Sequence, residues 1–115
     1  MNKDIIGKVP WEHVNLKDLE GICWIRKHGI DKYKNPDNWK LVDPKYYLSA
    51  TLRHITKMQD KGLFSLDDES NLPNIDHVLC DMMFIKYFMR MKEEAEKLDN
   101  TNPHSVHFKH KLKRR

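Results

Sequence analysis

After Pro73 the chain carries Ile75, Val78, Leu79, Met82, Ile85 and Met89 at intervals of three and four residues. Only an α-helix gathers such a series into one stripe. The spacing predicts a helix from about Pro73 to Leu98, with its last turns, Lys92 to Lys97, charged and turned to solvent. A helix this long in a chain of 115 residues must find other helices to cover its apolar side. With only four glycines in the whole sequence, a turn-rich β-sandwich is disfavoured.

Two more helices follow from local signals. Asp43 and Pro44 supply a cap and a first helical residue, and Tyr47, Ala50, Thr51, His54, Ile55 and Met58 form the stripe of a helix running to about Gln59. Asn15 is a good cap for a first helix with Asp18 in its opening turn; Leu16, Leu19, Glu20, Cys23, Lys27 and Ile30 share a face, and His28-Gly29 resembles its end or a kink. Residues 1–14 read as an irregular arm in which Pro10-Trp11 buries its indole against the body. The expected fold class is therefore all-α: a small bundle of three main helices with an N-terminal arm and a flexible basic C-terminal tail.

Charge divides the chain unevenly. Residues 104–115 contain Lys109, Lys111, Lys113, Arg114 and Arg115 and no acid, so this tail is +5 while residues 1–103, read as a single helical domain, sum to −1. A tail of this kind either solubilises or adds sequence-independent affinity for nucleic acid. The near-neutral body disfavours a DNA mimic. No apolar run approaches the roughly 20 residues that span a bilayer, and the start lacks a secretory signal, so no membrane partner and a cytoplasmic location are expected. Cys23 and Cys80 have no metal-knuckle spacing and read as reduced packing thiols.

Against this ordinary background a polar set stands out. Glu20, His54, His77 and Asp81 fall on or beside the apolar stripes, where unpartnered carboxylates and imidazoles are costly. Such groups are expected to meet one another, a metal ion or a phosphate. His77 and Asp81, four apart, share a helix face and read either as a structural pair or as ligands or base and orienter. The loop Asn35-Pro36-Asp37-Asn38 lies between Tyr33 and Trp39, rings that either pin the loop to the core or stack on a base, with Lys32 and Lys34 near enough for phosphate. Asp67, Asp68 and Glu69 suit a Mg²⁺ site in residue type, although their spacing is not that of a calcium-binding loop.

A resemblance draws these features together. Lys8-Val9-Pro10-Trp11, Leu19-Glu20, Gly29-Ile30-Asp31-Lys32-Tyr33, Asn38-Trp39, Tyr46-Tyr47 with Ala50, Leu52-Arg53-His54, Asp67, Glu69-Ser70, and Leu72-Pro73 with His77 occur in an order that resembles a family of small, mostly phage-encoded proteins, the N-terminal domain of dATP/dGTP diphosphohydrolase. The resemblance implies an all-α domain that cleaves purine deoxynucleoside triphosphates to monophosphate and pyrophosphate with Mg²⁺. It carries over Lys32, Tyr33, Asn38, Trp39, Arg53, His54, Asp67 and His77 as pocket residues. The chain departs from the family at Asn74, where a His is common, and at Asp81, where an Asn is common.

On the enzymatic reading, Glu20, Asp67 and Asp81 hold Mg²⁺, His54 or His77 orients or deprotonates the attacking water, Arg53 and Lys32 face the phosphates, and Tyr33 and Trp39 flank the base, with Asn38 beside them. The alternative is a phage accessory or anti-defence protein that captures a nucleotide signal or blocks a host nuclease or CRISPR effector without catalysis. The Met-rich side of the third helix (Met82, Met83, Met89, Met91) suggests a homo-oligomer.

Overall fold

The computed structural model describes residues 7–101. The start of the predicted arm and the basic tail lie outside the described residues. Three helices make up the body: α1 (Glu20–Tyr33), α2 (Lys45–Lys61) and α3 (Asn74–Thr101), with single 3₁₀ turns at Trp11–His13, Leu16–Leu19 and Asn38–Leu41. The all-α expectation holds, and among the described residues the only β feature is one isolated bridge between Leu66 and Pro73.

The helix ends follow from their chemistry. Asn15 accepts a hydrogen bond from the Lys17 amide (3.0 Å), but it caps the 3₁₀ turn, and α1 proper starts at Glu20. Gly29 does not end α1, contrary to expectation. A mid-helix glycine costs only about 1 kcal/mol, and the Lys27–Asp31 bond (2.8 Å) crosses that turn on the helix surface. Termination comes at Lys34, which adopts a left-handed conformation (φ 57°) just before Asn35-Pro36 and donates its amide to Ile30 (2.7 Å). Asp43 accepts from the Lys45 amide (3.0 Å) at the start of α2, and Gly62, with φ 114°, ends it.

The side-chain contacts fix the topology. Thr51 meets Asp81 and His54 meets Asn74, so α2 and α3 are antiparallel. Gly21 lies against Asp76 and Arg26 against Phe84, so α1 runs parallel to α3. Ile25, Tyr47, Cys80 and Phe84 form the buried cluster, with Ile22, Trp39, Val42, Leu72, Ile85 and Phe88 packed around it. No helix among the described residues is long and apolar enough to cross a membrane.

Four expectations are corrected. The stripe read as the inner face of α3 is divided: Ile75, Met82 and Met89 are 39%, 38% and 50% exposed, Val78, Leu79 and Ile85 are half-buried with Ile85 packed on the core, and the buried positions are Asn74, Cys80 and Phe84. The face of α3 that meets α1 and α2 thus mixes apolar Cys80, Phe84 and Phe88 with polar Asn74, His77 and Asp81, and bonds from α2 and the preceding loop satisfy the polar members. Trp11 is 60% exposed, because its one-turn helix contributes no buried residue. Cys23 is exposed and only Cys80 serves packing. Glu20, at the first turn of α1, is exposed as well, since the α-helix starts later than the sequence suggests.

Candidate functional site

The last turns of α1, the 38–42 turn, α2 and the inner face of α3 enclose a cleft of about 530 Å³, a size suited to a small ligand such as a nucleotide. Nine of the ten residues given a role in the enzymatic reading line it: Lys32, Tyr33, Asn38, Trp39, Arg53, His54, Asp67, His77 and Asp81. Glu20 does not, nor do Lys34 and Asp68. Lys57, Arg26, Tyr46 and Glu69 complete its polar and aromatic walls.

The most ordered part of the wall is built on the 62–73 loop. Asp67, 5% exposed, turns this loop inward because its own amide donates to the Leu72 carbonyl (2.8 Å) and its carbonyl accepts from Asn71 (2.9 Å). Lys57 donates to its Oδ1 (2.9 Å), while its Oδ2 accepts from the amides of Glu69 (3.1 Å) and Ser70 (2.9 Å) and from the Ser70 hydroxyl (3.1 Å). The Ser70 oxygen is also 2.7 Å from His77 Nε2. Burial opposes ionisation of Asp67, but these bonds and the nearby His77 outweigh it and hold the carboxyl well below the usual carboxylate range.

His54 enters from α2 and His77 from α3. Their rings stack with centroids 4.4 Å apart and planes 7° from parallel. His54 Nδ1 is 2.9 Å from the Oδ1 of Asn74, a residue with no exposed surface, and Asn74 is in turn held by Ser65. Burial, reinforced by the neighbouring His54, pushes the His77 pKa down to about 4, so the ring is neutral at pH 7. The predicted His77–Asp81 pair divides between different partners, because Asp81 faces Thr51 Oγ1 (3.5 Å) on α2. Burial raises Asp81 to about 7, despite the Thr51 bond and the charge of Arg53.

The cations differ in how far they are committed. Arg26 donates to the Pro36 carbonyl (2.6 Å) and covers Trp39 and Phe84, and Lys32 pairs with Glu69. Lys57 is held by Asp67. Arg53 lies over the Tyr46 ring at 5.8 Å and, among the described residues, has no carboxylate within ion-pair distance. Trp39 stacks on Phe84 (4.4 Å, 13°), and Tyr47 donates its hydroxyl to the Trp39 carbonyl (2.6 Å). That indole pins the loop to the core, whereas Tyr33 and Tyr46 present exposed rings at the cleft.

The residues present do not make the expected Mg²⁺ site. Glu20 is outside the cleft, Asp67 is committed to Lys57, Glu69 and Ser70, and Asp81 faces Thr51. No group of three His, Cys, Asp or Glu side chains among the described residues converges as a cation site.

Sequence reasoning gave no site role to Lys57, Ser70 or Asn74, although Ser70 and Asn74 were noted in the family resemblance. Lys57 was discoverable, being one turn from His54 on the same helix. Nothing periodic marked Ser70.

This is a small all-α domain with a cleft that combines cations, exposed tyrosine rings and paired imidazoles. The chain belongs to the family described as dATP/dGTP diphosphohydrolase, N-terminal, whose profile matches residues 1–98. No curated protein and no solved structure matches it.

Proposed function

We propose that the cleft binds a purine deoxynucleoside triphosphate and hydrolyses it to the monophosphate and pyrophosphate. The observation that carries this reading is the adjacency of Arg53, a cation with no carboxylate partner among the described residues, to the stacked imidazoles in a cleft of nucleotide size. Arg53 and Lys57 face the phosphates; Tyr33 and Tyr46 take the base, with Asn38 and Lys32 at that end of the cleft. Water attacks the α-phosphorus and gives its proton to an imidazole nitrogen, and the bond to the bridging oxygen breaks with its electron pair leaving on pyrophosphate. Any Mg²⁺ enters as the counter-ion of the triphosphate, as part of the substrate. Such a substrate places the work of this phage-type protein in the cytoplasm.

The test is pyrophosphate release from dATP or dGTP with Mg²⁺, alongside calorimetric binding. Release that His54→Ala abolishes supports the reading; binding without release at high protein concentration overturns it. The commitment of Asp67 to Lys57 and Ser70 favours one second reading, a phage accessory or anti-defence protein that captures a nucleotide without cleaving it. In either case residues 109–115 supply charge for a nucleic-acid or protein partner, and the exposed Ile75, Met82 and Met89 face is the one a homo-oligomer would use.

A further inference from the structure

Two hydrogen-bond chains end on the paired imidazoles, and each chain has a fixed direction. The Ser65 carbonyl oxygen can only accept, so the Asn74 atom turned to it is the amide nitrogen (3.4 Å to the carbonyl, 3.1 Å to the hydroxyl). Asn74 Oδ1 is then the acceptor facing His54, and His54 Nδ1 must carry the hydrogen. On the other chain, ionised Asp67 is acceptor-only, so the single Ser70 hydroxyl proton is donated to Asp67 Oδ2. The Ser70 oxygen already accepts from the Leu72 amide (3.2 Å), and its remaining lone pair requires that His77 Nε2 carry a hydrogen.

Asp67 agrees with both assignments, lying 3.7 Å from His54 Nδ1 and 3.8 Å from His77 Nε2 with its carboxylate toward both N–H groups. What remains is a bare His54 Nε2 and a bare His77 Nδ1. Among the described residues neither nitrogen has a partner. Among the described residues only Trp39 Nε1 is both shut off from solvent and unpartnered, so solvent reaches the two ring nitrogens.

We infer that Asn74 and Ser70 are positioning residues that lock His54 and His77 into opposite tautomers, so that each ring offers an unprotonated nitrogen as proton acceptor to a ligand or water in the cleft. The use made of those nitrogens rests on the hydrolase reading; the tautomers do not. The stacked His54 ring also lowers the affinity of His77 for a second proton.

Long-range ¹H–¹⁵N spectra of histidine-labelled protein at pH 7 read both tautomers directly. The expected result is an Nδ1–H form for His54, the minor form of free histidine, and an Nε2–H form for His77. Ser70→Ala should mix the His77 tautomers and lower pyrophosphate release on the order of 10- to 100-fold at unchanged KM, while Ser70→Thr, which keeps the hydroxyl, retains both. Asn74→Leu should release His54 in the same way; if that variant does not fold, the wild-type spectrum and the Ser70 variants still decide. A wild-type His54 in the Nε2–H form, or tautomers unmoved by Ser70→Ala in a folded protein, overturns the inference. Tautomers as expected with no pyrophosphate release overturn the hydrolase reading and leave the positioning assignment standing.

Discussion

Lys57 Nζ stands 2.9 Å from Asp67 Oδ1, joining the fourth turn of α2 to the loop that leads into α3. The carboxylate at this junction also serves two amides and a hydroxyl, so Asp67→Ala strands one cation and three donors together. The expected loss is on the order of 2–3 kcal/mol, less than for a fully buried pair because Lys57 keeps some solvent. Urea denaturation with and without Mg²⁺ checks the assignment. The loss should be the same in both; a wild-type gain with Mg²⁺ that the variant lacks would restore Asp67 as a metal ligand.

Asp81 and His77 give opposite pH dependences. Asp81 is raised from its ordinary 3.8 to about 7 by burial, so between those values the folded chain holds a proton that the unfolded chain has released, and stability falls as pH rises. His77 is lowered from 6.5 to about 4 by burial, so the unfolded chain holds the extra proton there and stability rises with pH. The slopes offset each other between about pH 4 and 6.5. Asp81→Asn should therefore uncover a rise on the order of 2 kcal/mol across that window, and His77→Gln a fall of similar size. Urea midpoints from pH 4 to 8 measure both; a profile for Asp81→Asn parallel to the wild type would count against the burial of this carboxyl.

These groups show what the sequence discloses and what it conceals. The phase of α2 placed His54 inward because that helix has one clear stripe, and the structure keeps it there. On α3 the same reasoning was only half right: Ile85 packs on the core, but Ile75, Met82 and Met89 face out, and Asn74, His77 and Asp81 share the inner face with Cys80 and Phe84. A periodicity rule assigns the apolar side to the core and has no way to know that Ser65, Ser70 and Thr51 will satisfy the polar one. Trp39 was correctly tied to the loop, but its partner Phe84 is 45 residues away, and only the fold shows that one indole face is already taken.

Trp39 and Arg53 should consequently behave differently when changed. Arg53 is exposed and its recorded contact is the Tyr46 ring, so Arg53→Ala should leave stability nearly unaltered while weakening dATP binding about 10- to 100-fold, the value of one charge-assisted phosphate contact. Trp39→Ala removes the ring between Phe84, Tyr87 and Phe88 and should cost about 3 kcal/mol or more. Calorimetry and urea denaturation on both variants separate the effects. Equal loss of binding and of stability in Arg53→Ala would remove it from the ligand-facing wall.

Gly21 offers a test of how α1 meets α3. It sits in the first turn of α1, where replacing glycine by alanine ordinarily gains up to about 1 kcal/mol of helix stability. Here an added Cβ would occupy the position of the Asp76 carboxyl group, whose pKa burial already raises. Gly21→Ala should therefore forfeit that gain, because the Asp76 carboxyl must first rotate away. In the Asp76→Ala background that obstacle is gone, and Gly21→Ala should regain its ordinary helix-favouring sign. The double-mutant cycle should give a coupling on the order of 1–2 kcal/mol. A cycle that closes near zero, with Gly21→Ala stabilising in both backgrounds, would mean that the two helices do not approach through this pair.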